Sequence, residues 1–344
     1  MTTRNRLLVL VAAVIALAAV ATASVWHAAA RADRRDQTRP GGPRITEGRV
    51  TLPAGPATRA ARHLVFRNMA WGPHRDELTT VPAGRPDAPR TASGVKCLRF
   101  YAASGTAICL RAERGAMQDT YTARILDARL KEKAHYALPG IPSRARVSPS
   151  GRYVAWTVFV GGDSYAGTNF STRAAIADTR TGRLTPTLED FRVVKDGRTY
   201  RAADINFWGV TFASDDRHFY ATLATRAKTY LVRGDLRTRT VTTVHPNVEC
   251  PSLSPDGTRV AYKKRVKGLS ADAPWRLYVL DLRTLHETPL AETRSVDDQA
   301  VWSDAHTLTY ALPGDYGADL YTVPADGTGA PHRLTKAAVS PAYL

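Results

Sequence analysis

The chain has 344 residues, of which 44% are apolar and 23% charged, a balance that excludes both a wholly disordered chain and a multi-span membrane protein. Lys and Arg number 48 against 31 Asp and Glu, a formal charge of +17, and the surplus beyond residue 50 is still twelve. Only nine of those cations are Lys, so the Arg excess reads first as a GC-rich coding bias and only second as a binding code.

Arg4 and Arg6 precede Leu7–Trp26, twenty residues without a charge, which is the pattern of a secretory signal or a signal anchor (residues 1–30). Ala21-Thr22-Ala23 has the small-x-small form of a cleavage site, and Ala28–Ala30 offers a second. Arg31, Arg34 and Arg35 close behind the apolar stretch fit retention, so cleavage and anchoring both stay open. Either outcome places the bulk of the chain outside the cytoplasm, and the lack of a nearby Cys excludes a lipid anchor. Residues 31–60, rich in Arg, Pro, Gly and Thr without an apolar period, read as a flexible basic linker.

From residue 61 to 344 the chain consists of short β-type runs separated by turns, with no sustained helical period. The segment CLRFYAASGTAIC reads as a hairpin centred at residue 103, which sets Cys97 opposite Cys109. An oxidising compartment makes a Cys97–Cys109 disulfide the expectation, with two buried thiols as the alternative, and Cys250 reads as a buried thiol. No Cys/His spacing resembles a metal site.

One phrase recurs: VSPSGRYVAWTV from Val147, FASDDRHFYATL from Phe212, LSPDGTRVAYKK from Leu253, WSDAHTLTYAL from Trp302, and a looser FYAASGTAICL from Phe100. Each joins two strands through a tight turn in which Pro presets φ, Asp or Ser caps the backbone and Gly takes positive φ. A second phrase follows each copy, and its alignment sets Ala83, Asp127, Asp178, Asp235, Asp281 and Ala325 in register. Their spacings of 44, 51, 57, 46 and 44 residues match the period of a four-stranded propeller blade. The expected fold is therefore all-β, a six-bladed propeller of four-stranded antiparallel blades. HLVFRNM from His63 and the C-terminal AAVSPAYL would share one blade and close the ring.

LSPDGTRVAYKK followed by LYVLDLRT resembles the repeat of TolB-like, WD-repeat-like propellers, found in bacterial extracytoplasmic proteins and in prolyl oligopeptidase-type peptidases. The resemblance covers about residues 63–344. With its GDSYAG, FSTR and VECPSLSPDG segments, the whole layout is similar to actinobacterial exported TolB-like translocation proteins. It implies a fold far more specifically than a function.

In the propellers so resembled, the first strand of each blade lines the central channel, and the loops joining strands two to three and blade to blade share one face. That face would carry Asp163, Tyr165, Asn206, Trp208, Glu249, Asp297, Asp298 and Gln299, with Lys263, Lys264 and Arg265 as basic counterparts. A funnel of carboxylates, cations and aromatics suits a polar ligand or a peptide end, while the same residues can equally serve to hydrogen-bond blade to blade. Enzyme motifs are lacking: Gly162-Asp-Ser164-Tyr-Ala-Gly167 is one residue too long for a nucleophile elbow, and there is no metalloprotease helix, P-loop or dinucleotide fingerprint. Asn169-Phe-Ser171 matches a glycosylation acceptor but has no such meaning in an exported bacterial chain.

The resulting expectation is an exported, monomeric, non-enzymatic binding or scaffold module at the cell envelope, secreted or membrane-anchored, without a cofactor or metal. Its partner would be an envelope protein or polar ligand. Nucleic acid is excluded by compartment. The alternatives are a glycan-acting hydrolase or lyase using Asp163, Glu249, Asp297 or Asp298, and a structural protein held electrostatically on anionic wall polymers or a membrane surface.

Overall fold

The computed structural model describes residues 3–37, 41–55, 62–115, 118–161 and 171–344. Helix α1 (Thr3–Asp36) contains a span, Arg4–His27, with a mean hydropathy of 2.7 and none of its surface buried. By length and composition it is able to cross a bilayer, and a signal sequence has the same character. Strand β1 (Ile45–Glu47) follows, and then blade 1 takes β2 (His63–Asn68), β3 (Glu77–Pro82) and β4 (Arg90–Lys96).

Blade 2 is built of β5 (Arg99–Ala103), β6 (Thr106–Glu113), β7 (Thr120–Leu126) and β8 (Glu132–Leu138). Blade 3 is built of β9 (Ile141–Val147), β10 (Tyr153–Val160), β11 (Ser171–Asp178) and β12 (Leu184–Thr185). A hairpin, β13 (Arg192–Lys195) and β14 (Arg198–Tyr200), precedes blade 4, whose strands are β15 (Asn206–Phe212), β16 (His218–Thr225), β17 (Lys228–Asp235) and β18 (Thr240–Pro246). Blade 5 comprises β19 (Glu249–Leu253), β20 (Arg259–Arg265), β21 (Trp275–Asp281) and β22 (Glu287–Pro289). Blade 6 comprises β23 (Val301–Trp302), β24 (Thr307–Leu312), β25 (Asp319–Pro324) and β26 (His332–Thr335), and β27 (Ala338–Tyr343) returns to blade 1.

The six expected blades and their closure are both present. β27 pairs antiparallel with β2, Leu64 facing Tyr343 and Asn68 facing Ala338, so a C-terminal strand is the innermost strand of blade 1. Each blade is packed on both faces, so alternate residues of a central strand serve opposite neighbours. On β6, Ala107 and Cys109 pack towards blade 1, while Ile108 and Leu110 pack towards blade 3. The apolar core of the described residues is accordingly a ring of inter-blade clusters, closed by Leu64, Phe66, Val81 and Ala338 of blade 1 against Leu320 of blade 6. Arg90, 1% exposed, clasps that same seam: its guanidinium donates to Asn68 Oδ1 (2.6 Å), to the carbonyl of Ala337 (2.9 Å), to Thr335 Oγ1 (3.2 Å) and to the carbonyl of Lys336.

The repeated Asp residues are structural. Asp178, Asp235 and Asp281 each end the third strand of a blade and Asp127 directly follows one; all four accept backbone N–H groups of the following turn through Oδ1. Asp178 and Asp235 also take the Arg of the other recurring phrase, Arg152 at 2.9 Å and Arg217. The two phrases are thus halves of one cross-strand device.

Three details depart from the sequence reading. Within the stretch read as a flexible linker, β1 pairs parallel with β4, and Val50 and Leu52 are buried against blades 1 and 2, because the apolar residues there are too few to show a period yet enough to cover an edge. The β13–β14 hairpin extends blade 4 to six strands, turning at Asp196 and Gly197, both at positive φ; it accounts for the longest repeat spacing. The Cys97–Cys109 disulfide exists with a Cα separation of 5.4 Å, but not as the expected cross-strand pair. β5 and β6 pair with Phe100 opposite Cys109, and Cys97 lies in the crossing from β4 to β5, so the bridge pins that crossing to the second strand of blade 2. Cys250 is buried and unbridged.

The inner strands are bulged. The register shifts after Trp208 in β15 and after Glu249 in β19, where Gly209 and Cys250 adopt positive φ. A bulge frees a backbone N–H from the ladder. Gly209 N–H is taken by Thr157 Oγ1 of blade 3 (3.3 Å), and Cys250 N–H by Thr222 Oγ1 of blade 4 (2.9 Å). Gly209 also has no room for a side chain, since a Cβ there would lie 2.8 Å from Cys250 Cα.

Candidate functional site

The channel mouth is assembled from strand ends that the topology brings to one face: the starts of β5, β15 and β19, the end of β20, and the irregular segment between β22 and β23. Its centre is an ion cluster. Glu249 and Lys263 are cross-strand partners, with Lys263 Nζ 3.6 Å from Glu249 Oε2. Lys263 Nζ also donates to Asp297 Oδ1, which reaches in from the blade 5 to blade 6 connection. Arg144 on β9 approaches from across the channel, donating through Nη2 to the Asp297 carbonyl at 3.3 Å, with the Asp297 carboxylate 3.9 Å away. The Lys263 side chain has no solvent exposure and Arg144 has 5%, whereas the Asp297 side chain is 44% exposed.

Electrostatics keep the Lys263 ammonium charged. Desolvation, the largest influence, pulls the ammonium down, but Cys250, Glu249 and Asp297 together push it above its ordinary value. Burial raises the Glu249 carboxyl, partly countered by Lys263 and Arg265. Trp275 lies under two cations of β20, with Lys263 Nζ at 4.2 Å and the Arg265 guanidinium at 4.4 Å from its ring centroid.

The other expected residues divide. Asp298 faces Arg99 at 4.0 Å on the same channel wall. Gln299 is buried and donates to the carbonyls of Val210 (3.2 Å) and Pro251 (2.6 Å), so it anchors the connection and is withdrawn from the mouth. Trp208, 2% exposed, belongs to the packed interior rather than to a ligand surface. Asn206 serves the neighbouring blade, accepting from the backbone N–H (3.1 Å) and Oγ1 (2.7 Å) of Thr172. Lys264 points outward to Glu287, which also binds Tyr262 and His245 in the cleft between blades 4 and 5. Asp163 and Tyr165, with the GDSYAG segment, lie outside the described residues.

Sequence reasoning missed the arginines of the channel. Arg99, Arg144 and Arg146 line a cavity of about 20 Å³ together with Ser143, Asp298 and Gln299, room for a single water. Arg146 is buried, donates to the Ala300 carbonyl (2.6 Å) and stacks 4.5 Å from the Tyr101 ring centroid; desolvation lowers its pKa. The only signal was their place in first strands, Arg99 opening β5 and Arg144 and Arg146 in SRARV of β9.

A second overlooked group is Glu189, between β12 and β13, whose Oε1 is buried with no hydrogen-bond partner among the described residues. Burial pushes its carboxyl from 4.5 up to about 7. A raised carboxyl binds its proton more tightly when folded, so this group's contribution falls as pH rises from 4.5 through about 7. Glu189→Gln is expected to leave stability unchanged at pH 4 and to raise it by about 2–3 kcal/mol at pH 8, read from paired urea titrations; equal stabilities at pH 8 would refute the burial argument.

Comparison with solved structures gives the fold a context. TolB from Acinetobacter baumannii superposes with a TM-score of 0.56 at 16% identity, covering 84% of this chain and 67% of that one. This chain has the TolB-like propeller fold. A puromycin-hydrolysing peptidase of Mycobacterium tuberculosis matches at 0.51 and 18% identity over 84% of this chain, which spans only 45% of the peptidase. A chain of a nidogen–laminin complex matches at 0.51 and 10% identity, covering 82% and 98% respectively. No family model matches the sequence, and no curated protein matches it. The propeller fold is therefore shared with TolB, a chain of a nidogen–laminin complex and a peptidase, and function has to be argued from the channel mouth.

Proposed function

We propose that this chain is an exported, non-enzymatic binding module of the cell envelope that recognises a protein or polar ligand through the channel-mouth face. The observation that carries the reading is the commitment of Glu249 and Asp297 to one buried ammonium. Acid/base cleavage of a glycan needs two carboxyl groups held at different protonation states with space between them. Here Lys263 fills the space between the two, ion-paired to both. What remains at the rim, the exposed Asp297 and Arg265 with Trp275 beneath, is a polar, aromatic-backed surface of the kind that recognises rather than transforms. The N-terminal apolar helix and the disulfide fit export or anchoring.

The test is cross-linking in intact envelopes, comparing wild type with a rim variant carrying Arg265→Ala, Asp297→Ala and Asp298→Ala, after matching their melting curves. A partner recovered with wild type and lost from the variant is expected. Identical recovery from both would overturn the assignment of this face.

A further inference from the structure

The turn after the third strand carries an Arg whose repetition the fold does not require. In the register of Ala83, Asp127, Asp178, Asp235, Asp281 and Ala325, the residue two positions on is Arg85, Arg129, Arg180, Arg237 and Arg283 in blades 1–5, and Gly327 in blade 6. The turns use only the backbone of these arginines: the N–H of Arg129, Arg180, Arg237 and Arg283 goes to Oδ1 of the capping Asp, and that of Arg85 to the Pro82 carbonyl. All five residues are exposed, and among the described residues none of the five guanidiniums makes an ion pair, a hydrogen bond or a ring contact. A coding bias raises the number of Arg but does not set them at one position of the blade.

These turns lie at the end of the blades opposite the channel mouth. In blade 5, Asp281 pairs with Arg259 at the far end of the strand from Arg265, which stands at the mouth. The arc they form is surplus positive charge. Asp178 and Asp235 are already paired with Arg152 and Arg217, and exposed Lys131 and Arg183 stand in the same turns. Of the acids in the first-to-second turns, Asp215, Asp256 and Asp304 are tied to N–H groups of their own turns, and Asp216 accepts from Ser150 Oγ. In the sequence, residues 31–40 hold four Arg against two Asp, and residues 56–61 one Arg and no acid.

The second observation is where the chain from α1 joins the propeller. The Arg44 carbonyl accepts the Arg90 N–H, and β1 then pairs parallel with β4 from Ile45 opposite Arg90. Gly41, Gly42 and Pro43 line a cavity with Pro86, Asp87 and Ala88, residues of the blade 1 turn that carries Arg85. The chain therefore arrives beside one of the five turns, with only seven residues between Asp36 and Arg44. With α1 in a bilayer, this end of the propeller is the one drawn towards the headgroups.

We infer that, in the form that keeps α1, the propeller rests on the membrane through this arc, its five guanidiniums meeting the phosphates of anionic lipid headgroups. The apolar helix is one anchor and the basic arc a second, electrostatic one, and the pair fixes an orientation that a single tether leaves free. Arg suits the task because its planar fork meets phosphate oxygens in pairs. The inference does not depend on the ligand read at the mouth. It adds a direction to that reading, since the mouth then opens away from the bilayer.

The experiment reconstitutes the full chain into vesicles of phosphatidylcholine, with or without phosphatidylglycerol, containing a nitroxide-headgroup lipid as quencher. A fluorophore is placed either on Thr238→Cys, exposed in the blade 4 turn, or on Leu269→Cys, exposed in the loop between β20 and β21 at the mouth end; Cys250 is buried and the other two cysteines are bridged. With phosphatidylglycerol at low salt, the Thr238→Cys label is expected to be quenched several-fold more than the Leu269→Cys label. Each Arg contributes about fivefold to the ratio of docked to free orientations, so Arg129→Gln, Arg180→Gln and Arg237→Gln together are expected to remove the difference. Pure phosphatidylcholine is expected to do the same, as is salt of about 0.5 M, where the Debye length falls to about 4–5 Å. Those two arms need no variant, so a triple variant that failed to fold would leave the test standing. Equal quenching of the two labels, stronger quenching at the mouth, or a preference that persists in phosphatidylcholine or at high salt would each overturn the inference. Equal quenching together with binding of soluble poly(glycerol phosphate) would give the arc to an anionic polymer instead. The cross-linking result with the rim variant concerns the opposite end of the propeller, so a failure here does not remove the binding-module reading.

Discussion

Deleting residues 338–344 is expected to leave no folded monomer. β27 supplies the innermost strand of blade 1, and His63 and Leu344 exchange backbone hydrogen bonds of 2.8 and 2.9 Å at its end. Ala338 and Ala342 are fully buried and Val339 and Leu344 nearly so, and Tyr343 OH meets Thr309 Oγ1 of blade 6 at 2.7 Å. Without the strand, β2 becomes an open edge facing the channel, and the apolar cluster of Leu64, Phe66 and Leu320 loses its cover. Size-exclusion chromatography with circular dichroism is the measurement, and aggregated or unfolded material the expected result. A truncated monomer that melts with the full-length chain would show that the ring holds without its closing strand.

Lys263→Met should destabilise the protein by about 3–5 kcal/mol, the range for removing one partner of a buried ion pair. The loss falls on Glu249, which would be left buried without its cross-strand cation, whereas Asp297 can turn to water. Adding Glu249→Gln removes the stranded charge, and the double variant is expected to regain most of the stability. The midpoints of urea unfolding for wild type, single and double variants measure this directly, provided the slopes agree. A double variant as unstable as the single one would mean that Lys263 acts through its packing on Trp275 and not through charge.

The blades were legible because turns and caps demand particular residues. Ser-Pro-Asp-Gly can be read wherever it stands, and the Asp after the third strand recurs in four of the blades because the turn that follows has backbone donors to satisfy. Closure was legible for the same reason, through the Ser-Pro of the final strand. Features set by what faces what were not legible. Arg144 and Arg146 look like any surface cations until the ring places them in its channel, and Trp208 looks like a binding aromatic until the fold buries it. The Cys97–Cys109 bridge was expected on a register that β5 and β6 do not adopt; both cysteines nonetheless approach, because the crossing from β4 passes over β6. The β13–β14 hairpin had a readable signal, Asp196-Gly197, but its parallel pairing with β18 depends on a distant edge. At the mouth, the sequence pointed to Glu249, Lys263 and Asp297 as members of one face; that a single ammonium joins them is a property of the strand pairing and of the loop that crosses it.

Strand β1 has a bearing on reach. Because the chain is already held on the propeller at Arg44, whose carbonyl accepts the Arg90 N–H, cutting it after Ala23 or Ala30 would remove nothing that β1, Val50 or Leu52 touches, and the released and retained forms would present the same binding face. What would differ is freedom of travel. Only seven residues separate the end of α1 at Asp36 from Arg44, a leash of at most about 25 Å. A chain that keeps its helix in the bilayer would meet partners on that membrane at an effective concentration on the order of millimolar, and a cleaved one only at its bulk concentration. A weak affinity for a partner would then suffice in the first case and not in the second.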